Sequence, residues 1–181
     1  MKLFKLGLLA MVIVAFGSIN GVKADIINPF NTWYEFSFTG TVPFANGCSP
    51  ADPGGLDCVP SSGGNTEFAP APAWEFSSLN DFYLIVTDAF EAGDAFNIYN
   101  YGSLIGWTNS VSYALTYIDD PDIALLDTRF SQGYFPLLAG PYSITIKPYQ
   151  TLIGELAILR LPFQNPRPCP YWALAFYHLL D

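Results

Sequence analysis

Histidine occurs once, as His178. Any Ser-His-Asp or Cys-His arrangement would have to run through that residue, which lies in an apolar tail. The sequence lacks paired zinc ligands, a Gly-x-Ser-x-Gly elbow, a phosphate-cradling glycine loop and a dinucleotide fingerprint. It also lacks an Asn-x-Ser/Thr sequon, so N-glycosylation is not expected. Basic residues are few: seven Lys and Arg against sixteen Asp and Glu. Beyond the N-terminal segment no apolar run is long enough to span a bilayer. Charged residues make up 13% and aromatic residues 17% of the chain, a balance that speaks against disorder.

What is present begins with the N-terminus. Lys2 and Lys5 precede an apolar run from Leu6 to Phe16, and Val22-Lys23-Ala24 offers a small-residue cleavage site. This order is that of a secretory signal peptide over residues 1–24, with Asp25 as the first mature residue. Cleavage removes Lys2, Lys5 and Lys23. Arg129, Lys147, Arg160 and Arg167 then face all sixteen acids, so the mature net charge is 4 minus 16, or −12. Such a surface repels phosphate backbones and anionic lipids, so nucleic acid is not an expected partner. The mature length suits one domain with its own core. A secreted, extracellular location follows from the leader.

Apolar residues alternate through most of the mature chain. Tyr34, Phe36 and Phe38 share one face of a strand over Thr32–Thr39, with Glu35, Ser37 and Thr39 on the other. Further strands are expected over Ala73–Ser77, Phe82–Thr87, Asp94–Asn100, Ser103–Thr108, Val111–Tyr117, Phe130–Leu137, Tyr142–Lys147 and Leu152–Leu161. Asn100-Tyr101-Gly102 and Gly140-Pro141 supply turn chemistry. Asp120, Pro121 and Asp122 open one short helix, with Ile123, Leu126 and Leu125 as the residues that would face the core. The fold class is all-β: an antiparallel, jelly-roll-like sandwich of about nine strands with one short helix. The domain is expected to run from 25 to 161, with a Pro- and apolar-rich tail over 162–181 packing on it.

A Gly/Pro/Ser-rich loop over 40–72 interrupts this pattern. Cys48 and Cys58 lie inside it and form the natural disulfide pair in an oxidising compartment. Closing so short a loop stabilises by about 3 kcal/mol on the chain-entropy view. Cys169 is left over: it is free, pairs with another chain, or displaces one of the two.

One series of motifs has a familiar order. It comprises Trp74-Glu75-Phe76, Thr87-Asp88-Ala89-Phe90, Gly93-Asp94, Asp127-Thr128-Arg129-Phe130-Ser131-Gln132-Gly133 and Gly140-Pro141-Tyr142-Ser143-Ile144. The stretch from Ala73 to Leu161 resembles the small secreted β-sandwich domains of bacterial surface proteins that carry the PEP-CTERM sorting tail. Similar secreted proteins occur in fungi and other microbial eukaryotes. The resemblance implies a secreted sandwich and assigns no activity. The C-terminus departs from that pattern, since Asp181 ends the chain without a basic cluster.

Three sets of residues are candidates for chemistry. Asp88, Asp94 and Asp119 belong to an acidic group whose oxygens suit Ca²⁺, although the Asp-rich calcium loop spacing is absent. Otherwise no cofactor is expected. Arg129 is expected to pair with Asp88 or Asp94 through its planar fork. Trp107 and Tyr101, at a hairpin's end and turn, are the aromatics expected to be exposed and able to stack on sugar rings. The reading that follows is a secreted, non-enzymatic interaction or structural module with a glycan or protein partner. The alternatives are a carbohydrate-binding module and a carboxylate-pair hydrolase.

Overall fold

Strand-forming alternation dominates the chain, and the computed structural model is correspondingly built from strands. It describes residues 25–27, 31–39, 44–151 and 171–178. The signal peptide expected over 1–24, the strand expected over 152–161 and Cys169 lie outside these residues. In chain order the elements are β1 (Asp25–Ile26), β2 (Trp33–Ser37), β3 (Cys48–Ser49), β4 (Leu56–Asp57), β5 (Thr66–Phe68), β6 (Trp74–Ser78), β7 (Phe82–Asp88) and β8 (Phe90–Glu91). They continue with β9 (Ala95–Asn100), β10 (Ser103–Trp107), β11 (Tyr117–Ile118), α1 (Pro121–Ala124), β12 (Gln132–Leu137), β13 (Gly140–Gln150) and β14 (Tyr171–His178).

Two five-stranded sheets form the sandwich. The first has the order β1-β6-β13-β9-β10 and the second β12-β7-β14-β2-β5. Their central ladders are antiparallel, and the short pairings β1–β6, β2–β5 and β3–β4 are parallel. Period-2 alternation sends Trp74, Phe76, Phe96, Ile98, Ile144 and Ile146 inward from the first sheet. Tyr34, Phe36, Phe82, Leu84, Val86 and Phe135 meet them from the second. Aromatic rings cross the gap: Phe36 meets Phe96 edge-on at 5.5 Å and Trp74 at 5.7 Å. Such tilted contacts add specificity to the burial that drives sheet packing.

Three expectations need correction. The segment 111–116 forms no ladder, and only Tyr117–Ile118 pairs, with Phe90–Glu91. Asp120 does cap α1, accepting from the Asp122 N–H at 2.9 Å, but Ile123 and Leu126 face solvent. Four helical residues cannot turn an apolar stripe inward, so Pro121 and Ala124 are buried instead. The hairpin turn falls where the sequence places it, with positive φ at Tyr101 (46°) and Gly102 (77°). Two such residues give a two-residue turn whose twist matches the strands. Finally, the domain does not stop at 161. β14 lies between β7 and β2 and pairs with both, so the tail supplies an interior strand of the second sheet.

Phe135 marks where the two sheets approach at their edges. Its ring lies between Gly106 of β10 and Gly133 of β12. A Cβ added at Gly106 or at Gly133 would lie 2.5 Å from a ring carbon of Phe135. Gly106→Ala is therefore expected to destabilise by about 1–3 kcal/mol, the usual range for overpacking. Adding Phe135→Leu should return part of that loss. Urea midpoints of the parent, the single and the double variant check this; a Gly106→Ala variant as stable as the parent would contradict it.

Candidate functional site

Partners across a ladder share a face, so the register places the outward residues of the first sheet. Trp107 is opposite Asn97, and Asn97 is opposite Lys147; Leu104 is opposite Tyr99, and Tyr99 is opposite Thr145. Inner residues such as Ile98 and Ile146 alternate with these, so both rows point outward. Trp107 is 60% exposed and Leu104 51%. The Phe44 ring meets Tyr99 edge-on at 6.1 Å. Beyond Trp107, the Tyr149 hydroxyl donates to the Thr108 carbonyl at 2.7 Å. The result is an open sheet face carrying aromatic and apolar side chains beside one amide and one ammonium group.

Tyr101 and Trp107 are both exposed, as the sequence suggests. They stand at opposite ends of β10, roughly 20 Å apart by strand rise, and do not converge. Tyr99, Phe44, Asn97 and Lys147 complete the surface around Trp107 and escape the sequence reading. For Tyr99 the signal was available, because Phe96 and Ile98 claim the inner face and leave Asn97 and Tyr99 outside.

The acidic candidates divide between two places. Asp88 and Asp94 flank the crossing from β7 in the second sheet to β9 in the first, and both are fully buried. Asp88 Oδ2 accepts from the Gly93 N–H at 2.8 Å and the Asp94 N–H at 3.1 Å, while Oδ1 has no hydrogen-bond partner. Burial pushes the Asp88 carboxyl well above the usual carboxylate range, and the charge of Asp94 adds to it; three backbone N–H groups pull the other way. Asp119 sits elsewhere, accepting from the Ser62 hydroxyl at 2.8 Å. The three acids whose oxygens would suit Ca²⁺ are thus not brought together as a group of ligands.

Arg129 does not pair with Asp88 or Asp94. Its guanidinium forks onto Asp127, with Nε 2.9 Å from Oδ1, and its Nη1 donates to the Thr116 hydroxyl at 2.9 Å. The carboxylate two residues away is reached at the surface, where the guanidinium keeps its water. Reaching Asp88 would require burying it. Hydrogen bonds from Arg129 hold the Asp127 carboxyl down at about 2.

A third buried acid, Glu35, has no counterpart among the sequence candidates. The strand pattern places it on the outer face of β2, and that face proves to be covered. The chain folds back over it from 46 to 65, held by the Cys48–Cys58 disulfide with Cα atoms 5.5 Å apart. Asp52 fixes this loop by accepting from the Gly47 N–H at 2.9 Å and the Gly54 N–H at 2.8 Å. Glycine is needed at Gly47, because a Cβ there would lie 2.2 Å from the Ala69 carbonyl oxygen. Next to Glu35 on the same face, the Trp33 indole donates to Asp122 at 2.9 Å, tying α1 down. Glu35 Oε2 accepts from the Ser61 N–H at 3.2 Å, and Oε1 has no hydrogen-bond partner. Burial raises the Glu35 carboxyl to about 8, against the opposing pull of that N–H.

No protein family, curated protein or solved structure matches this chain. The geometry alone has to carry the functional reading. The observed disulfide is a link that oxidising compartments permit. Among the described residues no helix is long and apolar enough to cross a membrane.

Proposed function

We propose that this protein is a secreted, non-enzymatic binding module whose ligand surface is the outer face of the first sheet, and that its ligand is an uncharged glycan. The observation that carries the reading is Trp107. A large indole is 60% exposed on a flat sheet face, with Asn97 and Lys147 in the same row to offer hydrogen bonds. Sugar rings present C–H faces that stack on such rings and hydroxyls that need polar neighbours. The mature charge of −12 favours a neutral ligand over an anionic one. The buried acids are poorly placed for hydrolysis. Asp88, Asp94 and Glu35 are all closed off from solvent, whereas a glycosidase needs two carboxylates facing one open cleft. The resemblance to secreted bacterial and fungal sandwich domains supports the compartment.

The test is a depletion assay on insoluble polysaccharides together with a glycan array, using the mature chain. Trp107→Ala is expected to weaken binding by about thirtyfold or more, as loss of a central aromatic anchor does. Tyr134→Ala removes an exposed ring from the other sheet and should leave binding unchanged. A parent chain that binds no glycan, or a Trp107→Ala variant that binds as the parent does, would sink the reading.

A further inference from the structure

The Glu35 carboxylate and the two sulfur atoms of Cys48 and Cys58 lie within 4.8 Å of one another, and this is the group of three metal-ligating side chains that comes together among the described residues. Glu35 and Cys48 are fully buried, and Cys58 is half-buried. As a disulfide the sulfurs are poor ligands. As thiolates they are strong ones for a borderline-soft ion. We propose that reduction of the Cys48–Cys58 disulfide turns this spot into a Zn²⁺ site, ligated by the two thiolates and the Glu35 carboxylate, with the fourth position left to water.

Four features favour this. The donor set, two sulfurs and one carboxylate oxygen, suits Zn²⁺ and not Ca²⁺, which takes six to eight oxygens. Glu35 Oε1 has no hydrogen-bond partner, so one lone-pair site on the carboxylate is open to an ion. The Asp52 bracket, with its two backbone N–H bonds, holds the loop independently of the disulfide. Backbone bonds to the rest of the domain do the same: the Cys48 N–H donates to Ala69 and the Asn46 N–H to Ser37. With the β3–β4 pairing of Ser49 with Asp57, next to Cys58, these bonds keep both sulfurs near Glu35 once the bond between them is cut.

The chemistry balances. A dithiol reductant gives two electrons and two protons to the S–S bond and itself becomes a disulfide, leaving Cys48 and Cys58 as thiols. Zn²⁺ then displaces both thiol protons, and Glu35 binds the ion as the carboxylate. Disulfide and metal exclude each other, so the site would be open before oxidation or after reduction and closed otherwise.

The experiment uses the full mature chain with Cys169→Ser, so that the third cysteine cannot contribute. A phosphine that binds metal weakly reduces it, and Co²⁺ is the probe, followed by Zn²⁺ competition. One equivalent of Co²⁺ is expected to give a near-ultraviolet thiolate charge-transfer band that Zn²⁺ abolishes. Binding near neutral pH should release the two thiol protons, about two per ion. Glu35→Gln should weaken binding at least about tenfold, because one of the three protein ligands is lost. The oxidised chain should show no band. An absent band in the reduced parent would overturn the proposal. So would a Glu35→Gln variant with the parent's affinity, which is also what binding by unfolded thiols would give.

Discussion

Between about pH 5 and about pH 8 the oxidised domain should lose stability on the order of 4 kcal/mol, the reverse of the usual acid sensitivity. The cause is Glu35, whose carboxyl is raised from 4.5 to about 8 by burial beneath the stapled loop. A raised folded-state value means that the native state holds a proton that the unfolded state has released. The stabilisation is therefore complete below the unfolded value and is lost as pH rises through the folded one. Asp88, raised by burial and by Asp94, acts in the same direction. Asp127 opposes it, since Arg129 holds that carboxyl at about 2, but its contribution fades only in strong acid and belongs to an exposed pair. Tyr117, raised by burial and by Asp119, Glu35 and Glu91, titrates above this window. Urea unfolding at a series of pH values checks the profile, and Glu35→Gln should flatten it. A stability maximum above pH 7, or the same slope in the variant, would show that Glu35 is ionised in the folded protein.

Asp88→Ala should destabilise by about 3 kcal/mol or more, and Asp88→Asn by much less. The Asp88 side chain accepts two backbone N–H groups at the point where the chain passes from one sheet to the other. Alanine leaves both donors buried without an acceptor, each at about 1–3 kcal/mol. Asparagine keeps the accepting oxygen, and its amide can donate toward Asp94. Denaturant midpoints near pH 6 separate the two variants. Equal losses would mean that the negative charge, not the acceptor, matters at this crossing. This pair also shows why clustered acids are ambiguous in a sequence. Asp88 and Asp94 offer carboxylate oxygens of the kind a hard cation takes, yet in the fold each is surrounded by protein and Asp88 serves the backbone.

Much of the sandwich was legible because alternation is a local property. Trp74 to Ser78 alternates buried and exposed along its whole length, as its residues dictate. The Asp120 cap and the disulfide were legible for a similar reason: capping and short loop closure involve near neighbours in the chain. The tail was not legible. Tyr171 to His178 has no alternation to read, and a short apolar run does not say whether it is a strand inside a sheet or a cover laid over one.

The sequence by itself determined the acidity, the cysteine pair and the inward residues of most strands, since these depend on composition and on contacts a few residues apart. Only the tertiary structure decided what happens on the outer faces. Glu35 and Trp107 occupy equivalent positions in the pattern, each pointing away from the core. Folding covers Glu35 with a loop and leaves Trp107 open, because which outer face is covered depends on where distant segments land, and no local period records that.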